Sequence, residues 1–318
     1  MGRPVVIRPI LGAACALAMC IGLNAWNDAR GPVAIGIRET QEVGGRHAVL
    51  IGSSHILKSI DALVLDTMPQ TRNWSWFNVA QKGLGGAELL SVAQQWAEDL
   101  RPDILVLEII GGQVNRKSVN WRLAGQLKCN AQIVDQIECQ ASRSNTLTRY
   151  QRVKNVLKHA MMRLTRGLHG LLRRGSESPP TLKGEIVPHH RGWPLQTATD
   201  TASWQSLRNA ERCATTSTSD RDCGERPAFP MGMLEGLVQT CREHNIRLIP
   251  VLQPASGSHR LLDEVTEAIG SAPLMLGDGT WPSPFSRPEM MSDPMHLNAK
   301  GAEAVTLHLT EQLESRLR

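Results

Sequence analysis

Asp293 and His296 stand three positions apart in the stretch "SDPMHLNAKG" at 292–301, directly before a helix-start signal. A carboxyl group and an imidazole from one short loop make a general base and the group that orients it. Such a pair needs a nucleophile, and "VLIGSSHI" at 49–56 offers one. The apolar run 49–51 reads as a strand, Gly52 permits a sharp turn, and Ser53 and Ser54 fall where a helix begins. A serine at such a strand-to-helix turn is exposed at the edge of a parallel sheet. One of the two is the natural partner of His296. A second glycine-rich turn, "NVAQKGLGGAELL", places Gly86 at the start of a helix, where a backbone N–H suits a developing oxyanion. A third turn, "EIIGGQVN", carries the side-chain amides of Gln113 and Asn115.

These turns need strands and helices to hold them. "HAVLIG" reads as a buried strand, "ILKSIDALVLDTM" as helical, and "GGAELLSVAQQWAEDL" as a helix with Leu89, Leu90, Ala93 and Trp96 on one face. "PDILVLEII" is a continuous apolar run of the kind found in parallel strands covered on both faces. The rhythm returns with "GMLEGLVQTCREHN", "IRLIPVLQP", "HRLLDEVTEAIG" and a last helix from "NAKGAEAV" onward, which Asn298 is placed to cap. This alternation predicts an α/β fold with a mostly parallel sheet between two helix layers.

The order of the turns resembles the SGNH/GDSL hydrolase superfamily. "GSSH" is similar to its first block, with Ser54 as nucleophile; "GLGG" at 83–86 to its second, with Gly86 as oxyanion glycine; and "SDPMHLNAKG" to its last, with Asp293 and His296. The resemblance spans roughly 47–113 and 230–316. It implies a flavodoxin-like three-layer sheet and a Ser54–His296–Asp293 triad; the sequence itself, with no zinc-like Cys/His spacing, no P-loop and no GxGxxG after a strand, predicts no cofactor and no metal. The third block departs from the family, whose Gly-x-Asn supplies an amide. Here Gln113 holds that place and Asn115 follows two residues later. The resemblance is to the envelope branches of the superfamily. It implies esterase or O-acyltransferase activity on acylated polysaccharide or a small ester, beside partners of an envelope synthesis complex. The alternative is a catalytically silent glycan-binding or scaffold protein.

The rest of the chain sets the context. Its 318 residues carry a formal charge of +5, too little to argue for nucleic acid. Arg3 and Arg8 precede an uncharged, mostly apolar run at 9–26, which predicts a signal anchor over 1–30 with the remainder exported. Secretion after signal cleavage is the alternative. Cys129/Cys139 and Cys213/Cys223 bracket short loops that an oxidising compartment could close, while Cys241 sits in a helical pattern as a small buried residue. A hydrolase-like domain over 45–318 is then interrupted by an insertion at 115–229. The insertion holds a basic helix at 145–174 without one acidic residue. Its seam of Leu147, Tyr150, Val153, Leu157, Met161, Leu164, Leu168 and Leu171 is expected to pack down on the domain. The basic faces then look outward, toward water, anionic lipid or an acidic polysaccharide.

Overall fold

A computed structural model describes Ala18, Gly22 and residues 32–81, 84–110, 148–172, 229–252, 262–276, 288–293 and 296–318. Chain order runs α1 (Pro32–Val43), β1 (His47–Ile51), α2 (Ser54–Ser59), α3 (Ala62–Thr67), β2 (Ser75–Asn78), α4 (Gly86–Asp99) and β3 (Ile104–Ile109). It continues through α5 (Arg149–Leu172), α6 (Met231–Glu243), β4 (Arg247–Leu252), α7 (Leu262–Ile269), β5 (Leu274–Met275), β6 (Met291–Asp293), β7 (His296–Leu297) and α8 (Ala299–Leu317).

Strands β1 to β5 form one all-parallel sheet in the order β2-β1-β3-β4-β5, an arrangement compatible with a flavodoxin-like fold. Every residue of β3 is buried, as a central strand covered on both faces requires. Side chains alternate between the faces. Val49, Ile51, Leu105, Leu107 and Ile109 enter one core with Trp96 of α4 and Leu234 and Leu237 of α6. Ala48, Leu50, Ile104, Val106, Ile249 and Val251 enter a second with Ile56 of α2, Leu65 of α3 and Leu309 of α8. Each fully buried Leu or Ile stabilises the fold by about 1.5–3 kcal/mol.

Three features differ from the sequence expectation. The helical stretch after Ser54 is two helices, because Asp61 starts a new one: its Oδ1 accepts the Leu63 N–H at 2.9 Å. The Asp-x-x-His stretch is not a plain loop, since β6 and β7 pair antiparallel with Asp293 opposite His296. In the first half of α5 the seam is not packed down: Tyr150, Val153, Leu157 and Met161 are all exposed, while Leu164 further along is partly covered. His159, two positions from both Leu157 and Met161 and so on the opposite side, is buried.

Among the described residues no helix is long and apolar enough to cross a membrane. The expected anchor over 1–30 lies outside them apart from Ala18 and Gly22, as do Cys129, Cys139, Cys213 and Cys223. Cys241 is a buried free thiol in α6.

Candidate active site

The turn after β1 is set by what surrounds Gly52. A Cβ there would lie 2.3 Å from Ile56 Cγ1 and 2.8 Å from Glu108 Oε2, so no larger residue fits without displacement. Directly after it, the two serines take different work. Ser53 is the N-cap of α2, its Oγ accepting the His55 N–H at 3.1 Å. Ser54 is the first helical residue, and its Oγ lies 3.0 Å from His296 Nε2, across 242 positions of sequence. Both partners are half-buried, so the pair is screened from bulk water yet reachable. When Nε2 accepts from the Ser54 hydroxyl, a neutral ring carries its proton on Nδ1. That is the tautomer a general base needs.

Beneath the turn lies Glu108, which the sequence reading passed over. Period-two alternation puts it on the same face of β3 as Ile104 and Val106, the face that α2 covers. Its side chain is wholly buried. Oε2 accepts the Ser53 N–H at 2.6 Å, and Oε1 stands 3.4 Å from His55 Nδ1, which is also 3.1 Å from Ser53 Oγ. The carboxyl group thus holds the residues on both sides of Ser54. The sequence signal was one acid inside an otherwise apolar strand, because a buried carboxyl group is costly unless it is hydrogen-bonded. The His55 ring in turn lies 5.9 Å from the His296 ring, centroid to centroid.

His296 is fixed from the far side. Asn298 caps α8 through Oδ1, which accepts the Gly301 N–H at 3.0 Å. Its Nδ2 donates to the Glu289 carbonyl at 2.8 Å, and its own N–H donates to the Met290 carbonyl at 2.8 Å. One residue therefore ties the segment before β6 to the helix after β7. Gly301 allows the close approach, since a Cβ there would fall 2.2 Å from the Met290 carbonyl oxygen.

The remaining predicted residues divide. Gly86 is the first residue of α4, packed so that a Cβ would come within 3.0 Å of the Ile110 carbonyl oxygen. That places it against the C-terminal end of β3. Asp293 faces His296 backbone to backbone across the β6–β7 pair, and its side chain lies outside the described set. Gln113 and Asn115 lie outside the described residues. Among the described residues no cluster of three His, Cys, Asp or Glu side chains is arranged to hold a metal ion.

In comparison with known proteins, the chain matches no family model and no curated sequence.

Proposed function

We propose that this chain is a serine esterase or O-acyltransferase of the SGNH/GDSL type, acting on acyl esters of a cell-envelope polysaccharide or exopolysaccharide. The observation that carries the reading is the 3.0 Å separation between Ser54 Oγ and His296 Nε2 at the C-terminal edge of a parallel sheet. Ser54 Oγ attacks the acyl carbonyl carbon while its proton passes to His296 Nε2. The tetrahedral adduct then expels the alcohol, which takes that proton from His296, and leaves an acyl group on Ser54. Water or a sugar hydroxyl attacks next, delivering its proton to His296, and Ser54 regains a proton as it departs. Asp293 orients the imidazole and stabilises its protonated form, with Gly86 and Gln113 as donors to the oxyanion. The N-terminal apolar run anchors the chain and leaves the catalytic domain on the outer side of the membrane.

The Gln113 departure from the family pattern favours a second reading, a silent SGNH-like protein that binds glycan or scaffolds a synthesis complex. Purified protein assayed on p-nitrophenyl acetate, with and without a free glycan acceptor, separates the two. Wild-type release of p-nitrophenol that Ser54→Ala abolishes supports the enzyme, and acceptor-dependent acyl transfer specifies the transferase. Equal background release by both proteins supports the silent reading.

A further inference from the structure

Helix α5 turns its apolar stripe outward. Tyr150, Val153, Leu157 and Met161 follow one another at three- and four-residue intervals, which is one face of a helix, and are 75%, 54%, 61% and 60% exposed. The opposite face is the packed one: His159 is buried, and Asn155 and Met162 beside it are partly covered. The stripe is flanked on both sides by exposed cations, with Arg149 on one flank and Lys154 and Lys158 on the other. No acidic residue occurs anywhere in 145–174.

We infer that α5 is an interfacial helix that lies in the surface of an anionic lipid bilayer. Tyr150, Val153, Leu157 and Met161 sit among the upper acyl chains, and the flanking Arg and Lys side chains reach back to lipid phosphates. Both halves of the pattern find a partner in a bilayer. An acidic polysaccharide would satisfy the cations and leave four apolar side chains in water. A second copy of α5 would cover the apolar stripes and bring cationic flanks together with no acid on either helix to offset them. The inference stands apart from the proposed catalysis and does not rest on it.

The chain has one tyrosine, and it lies on the stripe, so fluorotyrosine incorporation gives a single fluorine resonance from Tyr150. The full chain is reconstituted in nanodiscs of equal parts phosphatidylglycerol and phosphatidylcholine. Two paramagnetic agents are then added separately, a nitroxide on the lipid acyl chain and a water-soluble gadolinium chelate. An inserted stripe loses the resonance to the acyl-chain nitroxide and keeps it in the presence of the chelate. Replacing Arg149, Lys154 and Lys158 with Gln reverses that pattern in the same discs. Three results overturn the inference: a resonance lost to the chelate alone, which leaves the stripe in water; a resonance indifferent to both agents, which covers it with protein; and a triple variant as deeply inserted as wild type, which removes the role of charge.

Discussion

Ser53 and Ser54 are neighbours with separable duties, and their alanine variants should fail in different ways. Ser53 is the cap, so Ser53→Ala is expected to lower stability by about 0.5–2 kcal/mol, read as a shift in the urea midpoint. Ser54 caps nothing and faces His296. Ser54→Ala should therefore unfold at nearly the wild-type midpoint while ester cleavage falls on the order of a thousand-fold or more. The opposite assignment of the two phenotypes would move the nucleophile to Ser53. Glu108 adds a second test at this scale. Glu108→Ala leaves the buried Ser53 N–H unpaired, a loss of about 1–3 kcal/mol, whereas Glu108→Gln keeps an acceptor and should recover part of it. Equal destabilisation by both would mean that the acceptor is not what matters at that position. His296 and the Ser53–Ser54 pair were legible in the sequence from residue type, glycine and spacing, and the family resemblance singled out Ser54 of the two. Glu108 was not, since its partner is a backbone N–H that only the fold brings within 2.6 Å.

At the scale of elements, His296 is positioned by the clamp that Asn298 makes between the segment before β6 and the start of α8. Asn298→Ala removes an acceptor for the Gly301 N–H and a donor to the Glu289 carbonyl. We expect a stability loss of about 0.5–2 kcal/mol together with a lower rate, because His296 lies two residues upstream. Asn298→Asp retains the cap and loses the tie to Glu289, so it should keep most of the stability and less of the rate. Unchanged rates in both variants would show that His296 is held by other contacts. The cap was readable in advance from Asn before an apolar helical pattern. The strand pair β6–β7 and the two-residue β5 were not. Neither is long enough to show alternation, and β5 is held partly by a side chain, with Gln312 Nε2 donating to the Met275 carbonyl at 2.7 Å. The break between α2 and α3 was also hidden, because Asp61 interrupts apolar periodicity without a glycine or proline to mark it.

Over the whole molecule, the sheet and its two helix layers followed from strand–helix alternation and from the apolar runs of β1 and β3, the second carrying a single acid, Glu108. The seam of α5 misled, because apolar periodicity shows that a face needs cover and says nothing of whether protein or lipid supplies it. Cys241 offers a global probe of the α6 side of the sheet. Burial pushes its thiol from 9.0 up to about 12. The folded state therefore keeps the proton at a pH where the unfolded chain has released it. The sign follows: this contribution to stability is complete below pH 9 and is lost as pH rises through the window to about 12. Wild type should lose stability more steeply than Cys241→Ala across that window, by up to one proton in the slope. Parallel curves would place Cys241 in contact with water.

The pairing of Ser54 with His296 is tested most directly by mapping the adduct of a fluorophosphonate on the purified full chain by mass spectrometry. The account predicts one adduct on the peptide containing Ser54, localised to Ser54 by fragmentation, and its loss in both Ser54→Ala and His296→Ala. No adduct on the wild-type protein, or an adduct on Ser53 that persists without His296, would contradict it.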